Sequence, residues 1–331
     1  MKPTQPGLFS RDAKAPIAAE RLTDQYGRVM RKLRVSLTDA CNYSCFYCMP
    51  SSAIFTPKGL LLEPDEYGRL CKALVDVGIE EIRLTGGEPT VRPEFRKIIE
   101  ALDALPLRRR GITSNGHLLE RHLDFLKDHG WYNLNISLDS LDPGRFDTIT
   151  GGGDFLTVMA SIEKASALGF RVKINTVVMQ GVNEDELTDF ATWSALTGIE
   201  VRFLEYMRIG PNLGRHADRF FSADEMLTRL MLDFNLTSVP AEYDSTALLF
   251  KTDCGARLGI IASESKAFCG TCSRLRLSST GILRACLMSP GGKSIRHTPR
   301  SELAGAFEEV MSMKPIKHPE HNPQPMFALG G

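Results

Sequence analysis

Three cysteines, Cys41, Cys45 and Cys48 in the run CNYSCFYC, put three thiolates within eight residues at the spacing C-x3-C-x2-C. A four-iron cluster takes four ligands, so three protein sulfurs leave one iron open. An open iron can be chelated by the amine and carboxylate of S-adenosylmethionine. An electron from the cluster can then cleave the bound sulfonium to a carbon radical. The competing reading is a structural zinc completed by a distant fourth ligand. Zinc sites favour C-x2-C pairs, and the three-residue first gap points to iron and sulfur instead.

A second trio, Cys269, Cys272 and Cys286, has the spacing C-x2-C-x13-C. With His297 it would make an ordinary Cys3His zinc site, and alone it is balanced between zinc and a cluster. Beside the first trio, a second cluster is the stronger reading, again with one iron free, here for substrate. Two cysteines remain. Cys71 falls on the apolar stripe of a helix and reads as a small buried hydrophobe. Cys254, in TDCGARLG, has no ligand partner nearby in sequence and reads as structural too.

The elements that must position these groups alternate. Strand-like runs at Leu33–Leu37, Glu81–Thr85, Arg110–Ser114, Leu134–Leu138, Val172–Met179 and Val201–Glu205 are separated by amphipathic stretches. Tyr67, Leu70, Cys71, Leu74 and Val75 share one helical face, behind Pro64 at a helix start and Asp65 and Glu66 at its positive end. Phe155, Val158, Ile162 and Ala165 form a second such face, and Leu187, Phe190, Ala191 and Ser194 a third. Strand–helix alternation implies a parallel sheet covered by helices. About six units fall short of the eight of a closed barrel, so an incomplete barrel with a lateral gap is expected, its chemistry at the C-terminal strand ends.

After Glu205 the rhythm changes. Residues 208–222 read as loop, and a smaller second region begins between residues 208 and 245. The expected organisation is a mobile arm over 1–21, a partial barrel over 22–222 and a C-terminal region over 223–331. Residues 314–325, with four prolines, read as an irregular linker.

Forty basic and forty acidic residues cancel in this 331-residue chain. That balance excludes a broad nucleic-acid-binding face but leaves room for a small anionic substrate. No apolar run is long enough to span a bilayer, and the first twenty residues carry no secretory signal, so no membrane is expected. Eight cysteines without such a signal suggest a reducing cytoplasm and metal ligation rather than disulfides.

CNYSCFYC, RLTGGEP, TSNG, NISLDSL, KIN, RFLEYM, the second trio and the terminal Gly-Gly occur in an order that resembles the GTP 3′,8-cyclase family of radical S-adenosylmethionine enzymes. The resemblance runs from LTDQYGR at residue 22 to Gly331. It implies an α/β fold, an incomplete (β/α)6 TIM-like barrel whose opening the C-terminal region closes. It implies two 4Fe-4S clusters, with Cys41, Cys45 and Cys48 holding the one that binds S-adenosylmethionine and Cys269, Cys272 and Cys286 the one that binds GTP. Tyr47, Gly87, Ser137 and Met207 would contact S-adenosylmethionine. Arg34, Arg83, Thr113, Lys173, Arg274 and Arg276 would contact GTP, and Gly330 and Gly331 would reach into the active site. The implied reaction converts GTP to 3′,8-cyclo-7,8-dihydro-GTP, the first step of molybdenum cofactor biosynthesis. An electron donor such as flavodoxin or ferredoxin and a downstream cyclic pyranopterin monophosphate synthase are the implied partners, and a homodimer is compatible with it. One departure is Ser273, where the family usually has Asn. A radical enzyme for another substrate, such as a peptide, and a non-catalytic metal-binding protein remain the alternatives.

Overall fold

The computed structural model describes residues 21–50 and 52–329. The expected arm, apart from Arg21, and the terminal Gly330 and Gly331 lie outside the described residues.

Six parallel strands form the centre: β1 (Lys32–Ser36), β2 (Glu81–Thr85), β3 (Arg109–Ser114), β4 (Asn133–Ser137), β5 (Arg171–Val178) and β6 (Glu200–Glu205). Each pairs with the next in sequence. All except β2 begin one residue earlier than the apolar pattern predicts, at Lys32, Arg109, Asn133, Arg171 and Glu200. The reason is the inward face. Successive residues of a strand point to opposite sides. The apolar set, including Leu33, Val35, Ile82, Leu84, Ile112, Ile136, Ile174 and Phe203, is buried in one apolar core. The alternate positions, including Lys32, Arg34, Glu81, Arg83, Lys173 and Arg202, line a central cavity of about 710 Å³. A closed barrel of this kind fills its centre with aliphatic side chains; this one keeps it polar.

The helices pack on the apolar faces. Pro64–Asp76 starts with a capping box between Glu63 and Glu66 and buries Tyr67, Leu70, Cys71 and Leu74. Full burial of such a Leu is worth about 1.5–3 kcal/mol. Phe155–Ala167 is capped by the Asp154 carboxylate on the Thr157 amide and buries Val158, Ser161, Ile162 and Ala165. Leu187–Thr197 buries all four residues of its expected face.

The C-terminal region contributes β7 (Leu236–Val239), β8 (Leu248–Thr252), β9 (Arg257–Ile261), β10 (Arg274–Leu277), β11 (Ile282–Arg284) and β12 (Lys293–Ser294). The sheet order is β12-β11-β10-β1-β2-β3-β4-β5-β6-β9-β8-β7. Strand β9 runs parallel to β6, and β10 runs parallel to β1. This region therefore extends both edges of the barrel sheet.

Two loop expectations need correction. Residues 208–222 contain a short helix, His216–Arg219, where His216 is buried between the rings of Tyr206 and Phe220. Residues 314–325 form no helix or strand, but Lys314 and Asn322 are buried and Asn322 bridges to Ile209. The segment is docked. Among the described residues no helix is long and apolar enough to cross a membrane.

Candidate active site

The first trio follows β1. Between them, Thr38–Ala40 lies against the turn after β2: Gly87 N–H donates to Thr38 O at 2.8 Å and Glu88 N–H to Ala40 O at 2.9 Å. A Cβ on Gly86 would meet Thr38 O at 2.3 Å, and one on Gly87 would meet Ala40 O at 2.3 Å. The glycines of GGEP are thus required by the approach of one backbone to another, just before Cys41.

Glu88 ties that turn to TSNG. Its buried carboxylate accepts from Thr90 N, Thr90 Oγ1, Ser114 Oγ and the Asn115 amide, at 2.6–3.0 Å. Asn115 in turn sends its Nδ2 toward Cys41 Sγ (3.7 Å) and Asn42 Oδ1 (2.9 Å). Tyr47 Oη donates to Asp139 Oδ2 at 2.6 Å, and Asp139 Oδ1 accepts from Val177 N. Burial raises Asp139 to about 6 despite those two bonds. Glu88, Asn115 and Asp139 sit inside the quoted motifs, yet spacing alone does not single them out.

Burial pushes the thiols of the first trio upward, Cys41 to about 11, Cys48 to about 12 and Cys45 well above its ordinary value, and neighbouring sulfurs of the trio add to it at Cys45 and Cys48. Such sulfurs ionise only when a metal takes the place of the proton. The second trio is mixed: burial and its two sulfur neighbours raise Cys269. Burial raises Cys272, but Arg274 and Lys314 outweigh it and bring the thiol down to about 6. Arg274 also lies over the Phe268 ring at 4.8 Å.

Each trio offers three free cysteine sulfurs, the donor type an iron–sulfur cluster takes. Among the described residues no three His, Cys, Asp or Glu side chains converge as a single bound ion demands; in a cluster each thiolate takes its own iron. His297 is exposed with Glu66 as a charged neighbour, and among the described residues it joins no group of three candidate ligands.

Of the residues expected at GTP, Arg34, Arg83, Lys173 and Arg274 line the cavity. Arg83 crosses the space that Gly111 leaves open and donates to Ile112 O at 2.9 Å. Burial and neighbouring cations lower Arg83 to about 9. Lys173 is held by Glu200 at 2.9 Å, and Glu200 also takes Arg202 at 2.6 Å. Arg202, which the sequence reading passed over, lines the same cavity; its alternation with Glu200 on β6 was the available signal. Thr113 Oγ1 is buried without a hydrogen-bond partner, as is Asn175 Oδ1 of KIN, the register partner of Ser137. Arg276 is the register partner of Arg34. Met207 packs with Cys286, Met288 and Leu329. The helix Met326–Leu329 touches the first trio as well, through the Phe327 amide on Cys48. It leads directly to Gly330. Cys71 is buried as expected, whereas Cys254 is exposed in a turn beside the Thr252 hydroxyl.

Residues 35–194 match the Radical SAM superfamily, and residues 199–320 match Molybdenum Cofactor Synthesis C. Over 313 residues the chain is 42% identical to the GTP 3′,8-cyclase of Synechocystis sp., with 95% of this chain and 96% of that one covered. It is 36% identical over 325 residues to the GTP 3′,8-cyclase of Staphylococcus carnosus, covering 94% and 96%. Molybdenum cofactor biosynthesis protein 1 of Homo sapiens is 42% identical over 308 residues, and the match spans 48% of that longer protein. Streptococcus suis SuiB superposes with a TM-score of 0.61 at 13% identity, covering 87% of this chain and 68% of that chain, a likeness of fold. The chain belongs to the GTP 3′,8-cyclase family of the radical SAM superfamily.

Proposed function

We propose that the chain converts GTP to 3′,8-cyclo-7,8-dihydro-GTP, the first step of molybdenum cofactor biosynthesis. One observation carries this reading. The cavity collects Arg34, Arg83, Lys173, Arg202 and Arg274, while burial and mutual repulsion hold Arg34 and Arg83 below the ordinary guanidinium range. Lys173 and Arg202 share Glu200, but the crowding around Arg34 and Arg83 costs energy when empty and suits a polyphosphate, whose oxygens pair with guanidinium forks.

Cys41, Cys45 and Cys48 hold the cluster that binds S-adenosylmethionine, with Tyr47, Gly87, Ser137 and Met207 around the cofactor. When bound, this pair supplies one-electron cleavage of a carbon–sulfur bond. Cys269, Cys272 and Cys286 would hold a second cluster, which would supply an iron site for the purine of GTP. The cations fix the triphosphate, Asp139 orients the Tyr47 ring, and Thr113 and Asn175 offer buried polar atoms to ligand hydroxyls. Gly330 and Gly331 keep, in this proposal, the active-site role that the family resemblance implies. The chamber's task is positioning, because ångström-scale displacement redirects a radical. An external reductant such as flavodoxin or ferredoxin, a downstream cyclic pyranopterin monophosphate synthase, a cytoplasmic setting and the domain limits 22–222 and 223–331 belong to the same proposal.

The test is anaerobic reconstitution followed by incubation with S-adenosylmethionine, dithionite and GTP. Mass spectrometry should find 5′-deoxyadenosine together with an isomer of GTP. Formation of 5′-deoxyadenosine with GTP unchanged would keep the reaction class and discard the substrate.

A further inference from the structure

Two buried cations outside both cysteine motifs meet around the second trio. Arg28, in LTDQYGR, forms an ion pair with Asp24 at 2.6 Å, the side chains 7% and 0% exposed. Asp24 Oδ1 accepts the amides of Tyr26 and Arg28, so this carboxylate is fully engaged. The other end of the guanidinium donates to Cys269 O at 2.5 Å, to Pro315 O at 3.0 Å and, more weakly, to Lys314 O at 3.5 Å. Lys314 is 2% exposed. Its Nζ donates to Arg274 O at 2.7 Å and Ala285 O at 2.8 Å, and lies 3.6 Å from Cys272 Sγ.

The carbonyls these cations choose are informative. Cys269 O belongs to one ligand, Ala285 O to the residue before another, and Arg274 O to the strand that leaves Cys272. Residues separated by more than two hundred positions from Arg28 are gathered around it. An ammonium withdrawn from water is costly unless paired, and among the described residues Lys314 forms no ion pair with a carboxylate. The anionic partners beside it are the sulfurs of Cys272 and Cys286. Three ligating thiolates bring the negative charge that would justify this ammonium.

We infer that Arg28 and Lys314 form a cationic brace that fixes the relative placement of Cys269, Cys272 and Cys286 and offsets their charge as cluster ligands. Both are positioning residues, acting through the cysteines rather than on substrate. The inference makes LTDQYGR and residues 313–315 parts of the second metal site, although neither carries a ligand. It rests on the reading that this trio holds a cluster.

The experiment compares the full-length wild type with Lys314→Met, Lys314→Arg and Arg28→Gln after identical anaerobic reconstitution with iron and sulfide. Iron and acid-labile sulfide per chain, S-adenosylmethionine binding and thermal unfolding are measured. Methionine keeps length without charge, so Lys314→Met should lose about half the iron, only the first cluster surviving. Its S-adenosylmethionine binding should be unchanged. Outer-sphere groups shift metal affinity about 10- to 100-fold, so Arg28→Gln should need correspondingly more iron for the second cluster. Lys314→Arg should recover iron beyond Lys314→Met. Wild-type iron and sulfide in both charge-removing variants would overturn the brace. Loss of both clusters together with a collapsed unfolding transition would overturn it too, since the role would be general packing. A wild type that takes up only one cluster would instead remove the reading beneath it.

Discussion

Arg34 and Arg276 stand opposite one another across β1 and β10, two guanidiniums in register on the inward face of neighbouring parallel strands. Burial, with Arg274 and Arg202 nearby, lowers Arg34 to about 10; burial and Arg34 lower Arg276 to about 9. Like charges adjacent in a sheet destabilise it. The arrangement works against the empty protein and in favour of an anionic ligand.

Replacing Arg34 by Met should therefore separate binding from stability. Loss of hydrogen bonds to a charged group costs about 1.5–3 kcal/mol, so GTP affinity should fall about 10- to 100-fold. The melting temperature should stay level or rise, because a desolvated cation among cations has been removed. Calorimetric titration and thermal unfolding of the same sample check both. A melting temperature that drops while GTP binding holds would make Arg34 a structural residue.

Gly87→Ala should damage the first cluster. The added methyl carbon would sit 2.3 Å from Ala40 O and 2.5 Å from Asp39 O, both backbone atoms. The strand-to-Cys41 segment must shift to admit it. Reconstituted Gly87→Ala should bind less iron than wild type and lose S-adenosylmethionine affinity. Gly59→Ala, where nothing lies within 4 Å of the new carbon, is the control and should match wild type in both. Equal iron in the two variants would show that the close approach is not needed.

The same residues show how much was legible in the sequence. Alternating apolar positions such as Leu33 and Val35 announced the parallel strands, because their outward face is uniformly packed. The inward face gave a weaker signal: Lys32, Arg109, Asn133, Arg171 and Glu200 look like loop residues until a polar cavity is known to receive them. Cys41, Cys45 and Cys48 were readable because their spacing is local. Glu88 was not, since its partners Ser114 and Asn115 come from another strand end. Lys314 was read as part of a linker because its neighbours in sequence are prolines, while its partners in space are the carbonyls of Arg274 and Ala285. Local chemistry is written in spacing; chemistry assembled across the sheet is not.

Glu88→Ala follows from that assembly. Four donors converge on one carboxylate, and removing an acceptor strands buried donors at about 1–3 kcal/mol each where water cannot reach them. With the two hydroxyl donors free to turn to other acceptors and two amides stranded, a loss of about 2–6 kcal/mol is expected, read as a lower denaturation midpoint. Burial raises this carboxyl while the four bonds oppose it, so Glu88→Gln tests shape against acceptor number. Its amide can accept at only one atom, and it should recover part of the stability. Full recovery by Gln would mean the second carboxylate oxygen contributes nothing.

Asp244 gives a pH-dependent prediction. It accepts from Lys32 at 2.7 Å and Arg31 at 3.2 Å, and from the Ser273 hydroxyl. Burial raises this carboxyl, but Lys32, Ser273 and Arg31 outweigh it and hold it at about 2. The unfolded value is about 3.9, so the folded state binds the proton less readily than the unfolded one. The stabilisation is therefore complete above about pH 5 and drains away as the pH falls through 4 toward 2. Asp244→Asn should cost about 2 kcal/mol at pH 7, measured by denaturant unfolding. The gap between wild type and variant should narrow below about pH 4, as the wild-type carboxylate takes up its proton. Ser273 gives its hydroxyl to this carboxylate, so Ser273→Ala should lower stability in the same direction by a smaller amount. A wild-type-to-Asn gap that stays constant down to pH 3 would show that the contact depends on shape rather than on charge.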